Sequence, residues 1–156
     1  MTLTDLHITP ARPRDLIDLH RMISRLADFH GDVAAITLAQ LQDALFGATP
    51  RAHALVARRG TAPVGYAAMT ESFVLHEASL WIDIHHLFVV ERQRSRGVGT
   101  ALIRACTAHA TARNATRLTI GTDPGNASAI AAYRAMKSLT EITGSGPRFR
   151  IDHGAG

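Results

Sequence analysis

Cysteine is almost missing from this chain: Cys106 is the single thiol in 156 residues. That excludes an internal disulfide and a cysteine-rich zinc site, and it suits a reducing, cytoplasmic compartment. Lysine is as scarce, with Lys137 alone, so the positive charge is carried almost wholly by arginine. Aromatic residues make up only 5%, too few for base-stacking platforms, and the arginines are scattered apart from Arg92, Arg94 and Arg96. Nucleic acid is therefore not an expected partner. No apolar run approaches the ~20 residues that cross a bilayer, and Met1–His20, with Asp5, Asp15 and Asp18 and no apolar centre, does not read as a secretory signal. A membrane is not an expected partner either. What is present is a 46% hydrophobic, 19% charged composition with a net charge of +4. These values describe a folded chain with a leaning towards anionic partners, and the length predicts one domain over residues 1–156.

Periodicity divides the chain into alternating element types. His7–Ala11 reads as a strand, and Pro13-Arg14-Asp15 opens a helix whose Leu16, Leu19, Met22, Ile23 and Leu26 fall on one face. Thr37 caps a second helix over Leu38–Phe46, closed by Gly47. His53–Arg59 and Val64–Ser72 read as two strands of a hairpin, Phe73–Ser79 as a loop, and Leu80–Val90 as a long strand in the centre of a sheet. A helix follows from about Val98 to Asn114, with Leu102, Ala105, Cys106, His109 and Ala112 as its buried face. Arg117–Thr122 is another strand; Asn126 caps a helix running to about Lys137; and Leu139–Thr143 and Arg148–Ile151 read as two short closing strands. The class is α/β, with an antiparallel hairpin at the centre of the sheet.

The chemistry concentrates in Arg94-Ser95-Arg96-Gly97-Val98-Gly99-Thr100, between the long strand and the third helix. The first N–H groups of a helix have no intrahelical partner, and the helix dipole favours an anion before them. Gly97 and Gly99 carry no side chains to block a phosphate, and Arg94 and Arg96 can add cationic contacts. A P-loop requires a lysine that is not there, and a dinucleotide fingerprint requires a third glycine where Leu102 stands. Asp83-x-His85-His86 has the residue types of a metal site. Adjacent strand residues point to opposite faces, so His85 and His86 are not expected to share an ion, and no metal is expected.

Three strings at fixed mutual spacing carry a resemblance: Leu87-Phe88-Val89-Val90, Arg94-x-x-Gly97-x-Gly99-Thr100 and Asn126-x-x-Ala129-x-x-x-Tyr133. Together with the element order, they resemble the GCN5-related N-acetyltransferase (GNAT) family over nearly the whole chain. The similarity is greatest to its diamine branch (spermidine/spermine-type and thialysine acetyltransferases), supported by Leu26-Ala27-Asp28-Phe29-His30, Val64-Gly65-Tyr66-Ala67 and Arg148-Phe149-Arg150-Ile151-Asp152. The resemblance implies a mixed, mostly antiparallel twisted sheet, splayed at its central strands and flanked by about four helices. It implies acetyl-CoA as cosubstrate, with its pyrophosphate on the amides from Ser95 to Thr100 and its pantetheine arm paired to Leu87, Phe88 and Val89. Asn126 would lie on the cofactor side and Tyr133 would protonate the departing thiolate. A homodimer is implied as well.

This chain departs from that pattern in two places. Relatives that acetylate polyamines carry an acidic pair where His85 and His86 stand, and the other positions used against a cationic substrate read His30, Leu75 and His76. An alkylammonium, with a pKa near ~10.4, must lose a proton before it attacks; an imidazole titrating near ~6.5 suits that task, which makes His85 the candidate base. Lys137-Ser138 replaces the Gly-Phe that follows the tyrosine-bearing helix. By residue type alone, Tyr133 also fits a core aromatic, His85 a cleft-lining residue, Asn126 a plain helix cap and Cys106 an inert thiol. The expected function is N-acetyl transfer to a small primary amine; the alternative is a non-catalytic acyl-CoA-binding regulatory module on the same fold.

Overall fold

The structure, a computed structural model, describes residues 5–143 and 147–152. The chain divides into two compact units, one up to Gly121 and one from Thr122 onward. In the first, β1 (Leu6–Pro10) is followed by a short 3-10 turn at Pro13–Asp15 and by α1 (Leu16–Phe29) and α2 (Leu38–Phe46). Then come β2 (His53–Arg59), β3 (Ala62–Val74), β4 (Ser79–Val89), α3 (Val98–Ala112) and β5 (Ala115–Ile120). The five strands form one sheet in the order β1-β2-β3-β4-β5; the first three pairings are antiparallel and β4–β5 is parallel.

Local chemistry accounts for the helix ends. Thr37 accepts from the Gln40 N–H while the Gln40 side chain reaches back to the Thr37 N–H, a reciprocal cap. Asp15, buried at 3% exposure, accepts from the Arg12 N–H and from the Arg58 guanidinium, tying the start of α1 to β2.

Alternation along β3 puts successive side chains on opposite faces of the sheet. Tyr66 joins Leu16, Leu19, Met22, Leu41, Ala54, Val56 and Phe88 in the core beneath α1 and α2. Gly65 faces the other way, towards Leu102 of α3. Helices thus cover both faces, and Val56, Tyr66, Ala67 and Met69 are fully enclosed.

Two expectations about these elements are corrected. Phe73 and Val74 belong to β3 rather than to a loop, pairing with Leu80 and Ser79, so the turn contracts to Leu75–Ala78 with Ala78 left-handed at φ 46. The buried face of α3 is Val98, Leu102, Ile103, Cys106 and Ala110; Ala112 is exposed and His109 only half-buried. This helix is rich in alanine and small residues, so its apolar stripe has little contrast and does not fix its rotation.

In the second unit, Asn126 caps α4 (Ala127–Ala135) by accepting from the Ala129 N–H at 3.1 Å. The helix ends two residues before Lys137, at an extended Met136, without a left-handed glycine. Neither Leu139–Thr143 nor Arg148–Ile151 forms a strand. Ile142, Phe149 and Ile151 are 71–93% exposed, so the apolar alternation there finds no face to bury against. Residues 144–146 of the intervening turn lie outside the described residues.

Candidate active site

β4 changes character halfway along. Its parallel pairing with β5 ends at Ile84 opposite Ile120. From His85 to Val89 its described partner is β3 alone. The Val90 N–H donates to the Val64 carbonyl at 2.9 Å. In an antiparallel ladder the residues facing the partner alternate, so Phe88 turns its backbone towards β3, and Leu87 and Val89 turn theirs away. Leu87 and Val89 therefore present an open strand edge, while Phe88 contributes its buried ring, tilted against Tyr66 at 6.0 Å.

A bulge sits where that edge begins. Ala68 lies opposite His86, but Met69 lies opposite Ile84, so His85 is an extra residue with no counterpart. The insertion breaks the two-residue alternation and brings His85 and His86 to the same side. Their rings stack 4.2 Å apart at 14°. The expectation that adjacent strand positions keep these imidazoles apart is overturned. Asp83, third in that string, is hydrogen-bonded to the Thr119 hydroxyl instead.

The two imidazoles differ in their surroundings. His86 is half-buried, with Nδ1 3.1 Å from the Tyr66 hydroxyl. Burial first, then the neighbouring His85 and His30, lower its pKa to about 4. Burial also pushes the Tyr66 phenol well above its ordinary range, so it keeps its proton beside the His86 ring. His85 is exposed. Tyr66 was not singled out as a site residue; only the β3–β4 register, which sets it opposite Phe88 and two residues from His86, reveals its role.

The open edge runs into the start of α3. The first helical bond is Ala101 N–H to the Gly97 carbonyl, and no side chain caps this helix, so the amides of Val98, Gly99 and Thr100 have no intrahelical acceptor. Gly97 is left-handed at φ 78 and so is Ser95 at φ 58, a conformation that costs a serine energy and recurs at ligand-binding loops. Gly99 is different. A Cβ there would meet nothing closer than a Val89 methyl at 3.9 Å, so packing within the chain does not demand its glycine. A glycine there leaves room for close approach of a ligand. Arg94 donates to the Val89 carbonyl at 3.1 Å and lies over the Phe29 ring at 5.5 Å, so it closes the end of the open edge; Arg96 is exposed. An uncapped helix start beside an unpaired strand edge fits a ligand with a phosphate group and an extended amide-bearing arm.

Of the residues singled out from sequence, His85, Leu87, Phe88, Val89 and Arg94–Thr100 fall together in the first unit. Asn126 and Tyr133 are on α4 in the second, where burial raises the Tyr133 pKa. Cys106 is buried and its thiol pushed up to about 12, the state of an inert thiol rather than a nucleophile. Among the described residues no helix is long and apolar enough to cross a membrane.

The sequence profile of the Acetyltransferase (GNAT) family matches residues 18–137. Curated protein sequences give no significant match. Among solved structures, an aminoglycoside acetyltransferase, meta-AAC0020, from an uncultured soil metagenomic sample superposes with a TM-score of 0.81 at 19% identity, over 96% of this chain and 99% of that one. The same protein in complex with sisomicin gives 0.81 at 18%, over 96% and 98%. A possible acetyltransferase from Clostridium difficile 630 gives 0.76 at 17% identity, over 95% and 99%.

Proposed function

The chain belongs to the GNAT acetyltransferase family, and from that membership we propose that it transfers acetyl from acetyl-CoA to the primary amine of a small molecule by direct attack in a ternary complex. The observation that carries this reading is the open edge at Leu87 and Val89 leading into the uncapped start of α3. Acetyl-CoA supplies the acyl carbon as a thioester: the nitrogen–carbon bond forms as the carbon–sulfur bond breaks, and the sulfur leaves in need of a proton.

Each residue then has one task. Leu87 and Val89 pair the pantetheine arm as an added strand, with Phe88 supporting them from the core. The amides from Ser95 through Arg96, Gly97, Val98 and Gly99 to Thr100 cradle the pyrophosphate, with Arg94 bracing the loop. Asn126 lines the cofactor side with the amide nitrogen left free by its capping oxygen. Tyr133 keeps its proton at neutral pH and gives it to the sulfur. His85 takes the proton of the incoming ammonium; His86, held neutral and bound by Tyr66, does not.

The acceptor follows from charge. Against a polycation this chain sets His30, Leu75, His85 and His86 rather than carboxylates, and its net charge is +4. So although the family likeness leans towards the diamine branch, the substrate proposed is a small amine with at most one positive charge. The working form is a cytoplasmic, single-domain homodimer, in keeping with exposed Ile142, Phe149 and Ile151.

Steady-state thiol release from acetyl-CoA tests this with a panel of small amines, spermidine, spermine and sisomicin, the ligand of the structural neighbour. A mono-cationic amine should turn over while spermine does not, and Tyr133→Phe should lower turnover by roughly 10²-fold with cofactor binding little changed. Efficient acetylation of spermine would refute the charge argument, and cofactor binding without thiol release for any amine would leave the acyl-CoA-binding module as the better reading.

A further inference from the structure

Three chemically competent side chains converge at the far end of the sheet from the acyl-transfer loop. His53 opens β2, Glu71 lies on β3 two positions beyond Met69, the partner of His53, and His109 comes from the last turn of α3. His109 stands 12 residues beyond Gly97, about 18 Å along the helix. One ligand atom from each of the three lies within 4.8 Å of the others. The His53 Nε2 is 3.2 Å from Glu71 Oε1, and the two imidazole rings are 5.1 Å apart. His109 Nε2 is enclosed and has no hydrogen-bond partner, an arrangement that costs free energy unless something fills it.

We propose that His53, Glu71 and His109 form a binding site for one divalent transition-metal ion of the zinc class. Two imidazole nitrogens and one carboxylate oxygen suit zinc rather than magnesium or calcium, which require oxygen ligands. Three protein ligands leave a fourth position for water. With bonds of about 2.0–2.1 Å, tetrahedral ligands stand roughly 3.3 Å apart. The His53–Glu71 pair already meets that spacing, and the ligand nitrogen of His109 lies within 4.8 Å of both.

Arg113, just past the end of α3, shapes the affinity. Its guanidinium grips both oxygens of Glu71, with Nη2 to Oε2 at 2.9 Å. It competes with an incoming cation for Oε1 and sets a like charge beside the ion, so it opposes binding.

Zn²⁺ titrated calorimetrically into the untagged full chain should bind one equivalent at micromolar affinity or tighter, and Co²⁺ should give the visible bands of tetrahedral nitrogen–oxygen coordination. His53→Asn and His109→Asn should each weaken Zn²⁺ binding by more than the 10–100-fold that even an outer partner costs. Arg113→Gln should tighten it several-fold, and His76→Asn, on the exposed β3–β4 turn, should leave it unchanged. His53 lies on a half-exposed strand end, so its variant tests the site even where the His109 variant folds poorly. The assignment is overturned if neither the parent chain nor Arg113→Gln binds one equivalent, or if binding survives unaltered in His53→Asn.

Discussion

The two halves of β4 have similar composition and different fates. Ser79–Ile84 lies between β3 and β5, with Ile82 and Ile84 buried. His85–Val89 begins with a bulge and has only β3 beside it. In the first half Leu80–Ile84 has a strand partner on both sides, and the strand is scaffold. In the second, Leu87 and Val89 turn their backbones away from β3, with Arg94 on the Val89 carbonyl, and the bulge sets two imidazoles on one side. One strand thus anchors the sheet at one end and leaves an open edge at the other, because its neighbour stops at Ile120.

Deleting His85 attacks that contrast most directly. It removes the unmatched residue and leaves every other β3–β4 pair in register, so circular dichroism should report a folded protein while kcat/KM falls on the order of 10³-fold. His85→Ala keeps the bulge and loses only the imidazole; the ascending limb of its pH–rate profile should disappear, and an unaltered profile would remove His85 as the base. Ile82→Ala, in the paired half, should cost about 2–5 kcal/mol by denaturant unfolding and leave turnover per folded molecule unchanged. A turnover loss there would mean that the two halves are not separable.

Val89→Pro sharpens the comparison with a smaller effect. It deletes an outward N–H without touching the β3 ladder, and should weaken acetyl-CoA binding about tenfold, the size of one hydrogen bond. Equal affinity would show that the arm pairs elsewhere. The smallest effect is in the pH dependence of stability. His86 titrates at about 4 when folded and near the ordinary 6.5 when unfolded, so the unfolded chain binds the extra proton between those values. Its contribution is present above about 6.5 and is lost as the pH falls towards 4. Thermal melts of His86→Gln should show a shallower decline across that window than the parent chain.

Much of the fold was legible because local signals were strong: the Thr37 cap, the Leu16–Leu26 stripe and the Pro13 helix start all lie where periodicity places them. The glycine loop before α3 was legible for the same reason, since a strand, two glycines and a helix start are contiguous in the chain. The closing strands failed because alternation at Leu139–Thr143 and Arg148–Ile151 says nothing about whether a face exists to receive it.

By itself, the sequence determined the order of elements through α4, the helix start at Gly97 and the residue types available for acid–base chemistry, all of which depend on neighbours within a few positions. Only the tertiary structure decided the rest. The bulge at His85 exists because Ala68 and Met69 of another strand set the register. The neutral state of His86 depends first on burial, then on His85 and on His30, 56 residues away. His53, Glu71 and His109 are spread over 57 residues, form no sequence motif and meet only because two strands and a helix pack together. Hydrophobic periodicity reports which face of an element is buried; it carries no information on which distant side chains will share that burial.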